Sequence, residues 1–404
     1  MSKLDELIQQ YCPDGVAYVA LETVCLISKG IQFNKKDMHD EGTYPVINGG
    51  INPSGYIEQY NQEEKTITIS QGGASAGFVN WLDTKFWAGA HCYVLKPTNN
   101  VLNRYLFHFV KSKEYKLQEC QYGAGIPALA KSTVASLEIP VPPLEVQSEI
   151  VRILDNFTEL TAELTAELTA RKKQYEYYRD TLLKSSIEIK NVKLGSVCEV
   201  YDGTHQTPKY TNSGVPFVSV ENIDDLYGTT KYISAEDFSK YRIKPRIGDV
   251  FMTRITAGVI GRCTVVDRND DLAYYVSLAL LRPEQSILDS KYLKYYLESG
   301  WGRKELAKRI LWDATPTKIN KDDIGKVYIS LPPLEVQQRL VRVLDNFDSI
   351  CSDLNIGLPA EIEARKKQYE FYRDALLTYA ATGKTILTDR QTDRQTDRQT
   401  DRRV

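Results

Sequence analysis

The stretch Pro142-Pro143-Leu144-Glu145-Val146-Gln147 returns near the end of the chain as Pro332-Pro333-Leu334-Glu335-Val336-Gln337. Further on, Val151-Arg152-Ile153-Leu154-Asp155-Asn156-Phe157 recurs as Val341-Arg342-Val343-Leu344-Asp345-Asn346-Phe347. Arg171-Lys172-Lys173-Gln174-Tyr175 and its continuation to Asp180 recur from Arg365 to Asp374. The repeat returns after about 190 residues, a period far too long for a solenoid. The chain is therefore a tandem of two similar halves, each a globular region followed by this segment.

Both copies predict long amphipathic helices. In the first copy the apolar residues step mostly by three and four: Ile150, Ile153, Leu154, Phe157, Leu160, Leu164, Leu168, Tyr175, Tyr178 and Leu182. The Pro-Pro pair blocks a helix upstream and sets its start. A helix of about 40 residues is a rod of roughly 60 Å that cannot bury its apolar stripe alone. We expect the two copies to pack as an antiparallel coiled coil around a pseudo-two-fold axis, with two unrelated core helices as the alternative.

The first helix contains a smaller repeat, Thr161-Ala162-Glu163-Leu164 followed by Thr165-Ala166-Glu167-Leu168. Four residues are close to one helical turn, so each unit lengthens the rod by about 6 Å without turning its apolar face far away. The second copy is longer at this point and contains Gly357-Leu358-Pro359. A glycine followed by proline ends one helix and begins another, which predicts a break or kink there.

Composition suits two or three soluble domains, with 404 residues of which 42% are hydrophobic. No apolar run approaches the roughly 18 residues of a membrane span, and no signal sequence is evident, so we expect a cytoplasmic protein. The seven cysteines include no C-x-x-C pair. Cys25 and Cys198 occupy equivalent points of the two halves, which indicates core packing in a reducing compartment rather than metal binding.

The repeats predict six segments. They are a lead-in helix at 1–15, a first globular region at 16–141, a central conserved helix at 142–184, a second globular region at 185–331, a C-terminal conserved helix at 332–379 and a low-complexity tail at 380–404. Short β-type runs such as Thr66–Ile69 and Cys92–Leu95 precede a predicted helix from Leu102 to Gln118. Leu280-Leu281-Arg282-Pro283 and a helix from Tyr292 to Arg309 repeat this outline. The segments between these anchors differ, as expected of two recognition surfaces with different targets.

The tail repeats Thr388-Asp389-Arg390-Gln391 three times before it decays. Its low complexity and polar composition predict disorder. Thr-Asp-Arg-Gln is also what the four-base unit ACAG encodes through successive frames, and such a tract slips during replication. We therefore hypothesise phase variation at the 3′ end of the gene, with a harmless repetitive tail as the alternative.

No catalytic signature is complete. Gly383-Lys384-Thr385 resembles the end of a P-loop, but Thr378 stands where the first glycine belongs. The glycine-rich Gly72–Gly77 is not a dinucleotide fingerprint, and no amino-methyltransferase or nuclease core motif stands out. The net charge of −2 is poor for a free-standing DNA-binding protein, although basic residues cluster at 240–254 and 303–321. Two non-identical readers on a long rod nevertheless suit half-sites separated by roughly 34 Å.

The duplicated Pro-Pro-Leu-Glu-Val-Gln, Leu-Asp-Asn-Phe and Arg-Lys-Lys-Gln-Tyr blocks resemble the specificity subunit of type I restriction-modification systems. The Thr-Ala-Glu-Leu units make the chain look most like the type IC subgroup. The resemblance covers the chain up to about residue 380.

The resemblance implies an α+β fold with two tandem mixed α/β target recognition domains joined by the two helices. Each domain would read one half of a bipartite double-stranded DNA site. The helices would dock two modification (methyltransferase) subunits, and two restriction (translocase-nuclease) subunits would join the complex. S-adenosylmethionine, ATP and Mg²⁺ would bind those partners, and this chain would itself be non-catalytic. Two clean tetrapeptide units suggest a spacer of around six base pairs.

Candidate DNA-contacting residues are side chains that read base edges or hold phosphates on glycine-punctuated loops. In the first region they are Lys35, Lys36, Asn48, Gln71, Ser75, Asn80, Lys85 and Tyr122. In the second they are Thr204, His205, Gln206, Lys209, Arg254, Thr256, Arg309, Trp312, Thr315 and Lys318. For the partner interface we favour Arg171, Lys172, Arg365 and Lys366. The competing interpretations are a coiled-coil scaffold with two protein-binding heads and a nuclease-methyltransferase whose active-site residues escape detection.

Overall fold

The computed structural model describes residues 2–123, 125–184, 190–352 and 357–384. The chain forms two compact units. Unit 1 consists of Met1–Leu164 with Ile362–Val404, and unit 2 consists of Thr165–Glu361. Each unit therefore combines one globular region with a stretch from each of the two repeated helical segments.

Short strands dominate the first globular region. In chain order the elements are α1 Lys3–Tyr11, β1 Tyr18–Ala20, α2 Leu21–Val24, β2 Cys25–Lys29, β3 Tyr44–Ile47, β4 Tyr56–Ile57, β5 Thr66–Ser70, β6 Val79–Leu82, β7 Trp87–Ala88, β8 Cys92–Pro97, α3 Asn103–Ser112, α4 Glu114–Glu119, α5 Lys131–Ala135, β9 Glu138–Pro140 and α6 Leu144–Leu182. The predicted helix from Leu102 to Gln118 is thus two helices, which separate at Lys113.

The second globular region follows the same outline. Its elements are β10 Lys190–Lys193, β11 Cys198–Asp202, β12 Val215–Val218, β13 Tyr232–Ile233, α7 Ala235–Ser239, β14 Val250–Thr253, β15 Cys263–Val265, β16 Ala273–Tyr274, β17 Leu278–Pro283, α8 Ser290–Glu298, α9 Gly300–Ala307, α10 Lys321–Ile324, β18 Tyr328–Leu331, α11 Leu334–Ser352 and α12 Leu358–Thr382. The predicted helix from Tyr292 to Arg309 also divides, because Ser299 ends α8 and its hydroxyl caps α9 by accepting from the Gly302 amide.

The two regions have matching sheets. Four-stranded antiparallel sheets have the orders β2-β8-β5-β6 and β11-β17-β14-β15, and three-stranded sheets have the orders β4-β3-β7 and β13-β12-β16. The register matches as well, since Cys25 lies opposite Pro97 and Cys198 lies opposite Pro283. Both cysteines are buried, as predicted. The α+β fold class and the shared scaffold are confirmed.

The repeated helices begin where the prolines predict, α6 at Leu144 and α11 at Leu334. In unit 1, α6 leaves the globular region and α12 returns to it, where the Val16 amide donates to the Ala381 carbonyl at 3.0 Å. In unit 2, α11 leaves and α6 returns, where Asp180 accepts from the Gly300 amide at 3.0 Å. The helices are therefore antiparallel within each unit. The pseudo-two-fold relation remains a prediction.

Aromatic stacking joins the helices in each unit. Phe157 stacks on Tyr372 with 5.2 Å between ring centroids, and Tyr178 stacks on Phe347 at 5.9 Å. The second copy is two helices, and α12 begins at Leu358, so the predicted break is confirmed. α12 runs to Thr382, three residues past the predicted boundary at 379, and both Ala380 and Ala381 are buried. The repetitive tail from residue 385 lies outside the described residues.

A buried glutamine ties each helix start to its globular region. In unit 1 the Gln147 side chain accepts from the Leu102 amide at 2.8 Å and donates to the Asn100 and Pro142 carbonyls at 2.9 and 2.7 Å. In unit 2, Gln337 accepts from the Asp289 amide at 2.9 Å and donates to the Ile287 and Pro332 carbonyls, both at 2.8 Å. The last glutamine of the repeated motif is thus a structural anchor.

An aspartate about two turns further on holds the same junction. Asp155 Oδ1 accepts from Arg104 Nε at 2.7 Å and lies 2.9 Å from Nε2 of the fully buried His108. Its counterpart Asp345 accepts from Lys291 Nζ and Tyr295 Oη, both at 2.7 Å. The repeated helices therefore fix the position of each globular region through the same two side-chain types.

In the described ranges, no helix is both long enough and apolar enough to cross a membrane. The same residues contain no cluster of histidine, cysteine and acidic side chains suited to a metal ion.

Candidate nucleic-acid interface

Each unit carries a hairpin loop, with described residues 122–123 and 125–128 in unit 1 and 311–318 in unit 2. In the first, Tyr122 and Ala128 exchange two backbone hydrogen bonds of 2.9 Å. In the second, the Leu311 amide donates to the Lys318 carbonyl at 2.8 Å. An antiparallel bridge closes both loops, Tyr122 with Ala128 and Leu311 with Lys318, so the hairpin loops are equivalent features of the two halves.

The hairpin loops are attached to the sheet in the same way. The Leu129 amide donates to the Gln71 carbonyl just after β5 at 2.7 Å, and the Ile319 amide donates to the Arg254 carbonyl just after β14 at 2.9 Å. Gln71 and Arg254 therefore occupy equivalent positions. The same backbone hydrogen bond therefore positions the loop in both units, although the side chains on the two loop surfaces differ.

Several predicted residues meet on these surfaces. In unit 1, Tyr122 is 57% exposed on the hairpin loop, with Gln71 and the turn containing Ser75 beside it. In unit 2 the hairpin loop carries Trp312, Thr315 and Lys318, and the Thr256 amide donates to the Thr317 carbonyl at 3.0 Å. Trp312 is 64% exposed. Exposed aromatic and polar side chains on a loop suit contacts to bases and sugar–phosphate.

Arg254 is placed differently from the prediction. It is 6% exposed, its Nε donates to the Ile319 carbonyl at 3.2 Å, and its guanidinium pairs with Asp202. An arginine this buried joins the end of β14 to β11 and to the hairpin loop, which gives Arg254 a structural role. Its contact with DNA remains a prediction.

A second group of predicted residues lines a cleft of about 680 Å³ in unit 2. Thr204, Gln206 and Lys209 line the cleft, and His205 is exposed between them in the sequence. The cleft is also lined by Lys240 and Arg242, which the candidate set omitted. The alternating basic residues from 240 to 246 were the sequence signal from which Lys240 and Arg242 could have been predicted.

The remaining unit 1 candidates are more scattered. Asn48 Oδ1 accepts from the His91 amide at 3.0 Å, and the His91 carbonyl accepts from the Gln71 amide at 2.8 Å. The exposed His91 therefore belongs with this group, although nothing in its sequence context indicated it. Lys35 and Lys36 are exposed on a separate 3-10 helix.

Three candidates have local partners instead. Lys85 pairs with Glu63 at 3.1 Å and donates to Tyr60 Oη, and Asn80 Oδ1 accepts from the Trp81 amide. In unit 2, Arg309 pairs with Glu305 at 3.2 Å and is mostly buried. The structure does not bring these three into the loop surfaces.

The predicted partner-binding residues lie on the long helices. Arg171 and Lys172 are exposed on α6, where Arg171 pairs with Glu167 at 3.4 Å. Lys366 is exposed on α12, and the half-buried Arg365 donates to Gln368 at 3.1 Å. Their accessibility is compatible with docking, which remains a prediction.

Comparisons with known proteins identify the family of the chain. The family model of the type I restriction modification DNA specificity domain matches residues 13–171 and 186–364. The chain is 32% identical over 363 residues to a putative type I restriction enzyme specificity subunit of Haemophilus influenzae, covering 86% of this chain and 91% of that protein. It is 29% identical over 369 residues to the EcoR124I/EcoR124II specificity subunit of Escherichia coli, covering 85% and 89%.

Solved structures share the fold. A chain from a type I restriction-modification complex, solved to explain assembly and conformational transition, aligns with a TM-score of 0.56 at 23% identity, covering 90% of this chain and 97% of that one. The specificity subunit from M. genitalium aligns with a TM-score of 0.50 at 16% identity, covering 91% and 96%. The two matched domains, the relatives and the duplicated scaffold agree: the chain belongs to the type I restriction-modification DNA specificity family.

Proposed function

We propose that this chain selects a bipartite, asymmetric double-stranded DNA site, with one half-site read by each globular region. The observation that carries the proposal is the pair of equivalently anchored hairpin loops with unlike exposed side chains, Tyr122 in unit 1 and Trp312 in unit 2. A retained backbone with divergent side chains is what two half-sites of different sequence require. Family membership favours this function over a protein-binding scaffold.

In this proposal the chain directs partners and performs no chemistry itself. Two modification subunits would methylate adenine, and two restriction subunits would translocate and cleave DNA in the cytoplasm. S-adenosylmethionine, ATP and Mg²⁺ would bind those subunits. The exposed Arg171, Lys172 and Lys366 support docking along the long helices.

Co-expression with the cognate modification subunit in a methylation-free host, followed by single-molecule methylome sequencing, tests the proposal. We expect adenine methylation at one bipartite motif. Trp312→Ala should relax or abolish recognition in one half-site, and Tyr122→Ala should do so in the other. Absence of methylation from an assembled, soluble complex would refute the DNA-reading function and favour a scaffold.

We further propose that the Thr-Ala-Glu-Leu units set the spacer between half-sites at around six base pairs. Both units lie within the continuous helix α6, so removing one unit shortens the helix by about 6 Å with little change of face. Deletion of Thr165–Leu168 should shorten the spacer in the methylated motif and leave both half-sites unchanged. Altered half-site sequences would contradict this ruler.

A further inference from the structure

In unit 1, Gln71 and His91 lie opposite each other just beyond the paired ends of β5 and β8. The last register pair of these antiparallel strands is Ser70 with Cys92, and the Gln71 backbone amide then donates to the His91 carbonyl at 2.8 Å. Side chains of directly opposite residues lie on the same face of an antiparallel pair, with their Cβ atoms about 5 Å apart. The glutamine side chain and the imidazole are therefore neighbours on one surface.

The surroundings of this pair fix its backbone and leave its side chains available. Asn48 Oδ1 accepts from the His91 backbone amide at 3.0 Å. His91 is exposed and Gln71 is half-buried. Within the part of the chain that the structure describes, neither the Gln71 side chain nor the imidazole makes a hydrogen bond or an ion pair. Their donors and acceptors are therefore available to a ligand.

The equivalent pair in unit 2 is buried. It consists of Arg254 and Ser277, because the Arg254 backbone amide donates to the Ser277 carbonyl at 3.0 Å. Arg254 is 6% exposed and pairs with Asp202. Ser277 is 7% exposed, and its hydroxyl accepts from the Val220 amide at 3.3 Å. The same two backbone positions thus make internal contacts in unit 2 and present open side chains in unit 1.

A glycine beneath the imidazole contributes to this difference. Gly72 forms an antiparallel bridge with Ala128 at the base of the unit 1 hairpin loop, and its equivalent Ile255 forms the same bridge in unit 2. A Cβ atom at Gly72 would lie 3.7 Å from Nδ1 of His91. The imidazole therefore lies over a position without a side chain, where unit 2 has a branched one.

The chemistry of the pair fits base edges better than phosphate. The Gln71 side chain holds one acceptor and two donors, whereas a phosphate oxygen only accepts and would leave the glutamine oxygen unpaired. The major-groove edge of adenine offers the N6 donor and the N7 acceptor, which match both groups of the amide. A neutral imidazole supplies one N–H, which fits the N7 acceptor of a purine.

We propose that Gln71 and His91 are the specificity-determining pair of unit 1. Gln71 binds an adenine of the half-site through both groups of its side-chain amide, and His91 donates to N7 of a purine beside it. This proposal rests on the DNA-reading function proposed above, which it extends to two residues and a class of base.

The probes are the cognate duplex, whose motif the methylome of the wild-type complex supplies, and duplexes with each single base change in the half-site of unit 1. Dissociation constants are measured for the purified complex of this chain with the modification subunit. We expect replacement of one adenine in this half-site to weaken wild-type binding about tenfold or more. Gln71→Ala should reduce that loss to about twofold, and His91→Ala should do the same at the neighbouring purine.

Gln71→Glu tests the chemistry with a side chain of nearly the same shape. A carboxylate accepts but does not donate, so the preference at that position should move from adenine to cytosine, whose N4 group donates. The matched control is Gln10→Ala, at an exposed glutamine of α1, which should leave every single-base preference unchanged.

Uniform weakening on every duplex by Gln71→Ala and His91→Ala would assign the pair to phosphate and overturn the proposal. A changed preference in the half-site that Trp312→Ala alters would also overturn it. A wild-type complex without a methylated motif would refute the DNA-reading function and the pair with it. A wild-type motif whose base preferences all three variants leave unchanged would refute the pair alone.

Discussion

The two units share the contacts that hold a globular region on its helices and differ in the side chains of their outer loops. Gln147 and Gln337 make the same three hydrogen bonds, whereas the equivalent positions after β5 and β14 hold a polar Gln71 and a buried, ion-paired Arg254. The same few buried hydrogen bonds therefore hold each globular region on its helix in both units. The loops can diverge because the backbone hydrogen bond between loop and strand end is present in both units, with a glutamine at the strand end in one and an arginine in the other.

The junctions also show a difference within the shared plan. Unit 1 uses His108 between Asp155 and Tyr369, while unit 2 uses Tyr295 against Asp345. Burial lowers the pKa of His108, although its hydrogen bond with Asp155 acts in the opposite direction. Only unit 1 therefore has a titratable imidazole at this junction.

The largest expected effect separates the two loop attachments. Arg254→Met removes the arginine partner of Asp202 and the bond to the Ile319 carbonyl, and should cost about 3 kcal/mol of unfolding free energy. Gln71→Met at the equivalent position should cost less than about 1 kcal/mol. Urea unfolding measures both. Equal costs would show that Arg254 is not the structural residue described above.

The next effect tests the shared anchor. Gln147→Leu and Gln337→Leu each leave one buried amide and two carbonyls without their partner, and each should cost about 2 kcal/mol. Hydrogen exchange in each unit, followed by mass spectrometry, assigns the loss. Gln338→Leu, at the exposed neighbouring position, is the control and should stay within about 0.5 kcal/mol. If only one of the two variants lost stability, the two glutamines would not be equivalent anchors.

A smaller effect concerns pH. Because the folded pKa of His108 lies below its usual 6.5, the unfolded state binds more protons as pH falls below 6.5. The stabilisation present above that pH should therefore decline, by at most about 1.4 kcal/mol per pH unit, until the folded pKa is passed. Urea unfolding at pH 7.5 and 5.5 measures this decline. His108→Tyr, which installs the unit 2 residue, should flatten it, and an unchanged slope would assign it to other groups.

The smallest effect compares the cations at the junction. Arg104 pairs with Asp155 and its guanidinium lies 4.6 Å from the Trp81 ring centroid, whereas Lys291 pairs with Asp345 and is 53% exposed. Arg104→Ala should cost about 1–2 kcal/mol and Lys291→Ala less than about 1 kcal/mol. Thermal unfolding in low and high salt separates them, because only the exposed pair is strongly screened. The reverse order would contradict the role given to the aromatic contact.

The sequence predicted which loops form the candidate site, but not the contacts of the individual side chains. Tyr122 was marked by neighbouring glycines and Trp312 by residue type, and each lies on the hairpin loop of its own unit. The buried position of Arg254 was not predictable because a sequence does not show that Asp202, far away along the chain, supplies a carboxylate beside it. His91 was missed because its neighbours Asn48 and Gln71 meet it only through sheet pairing.

By itself the sequence determined the duplication, the helix starts after the proline pairs, the break at Gly357 and the matching sheets, because periodicity and proline geometry act locally. Only the tertiary structure decided that the repeated glutamine is an anchor and that Val146 is completely buried in unit 1 while its counterpart Val336 is 39% exposed in unit 2. Those outcomes depend on which distant segments pack on a helix face, and a repeated motif does not encode its neighbours.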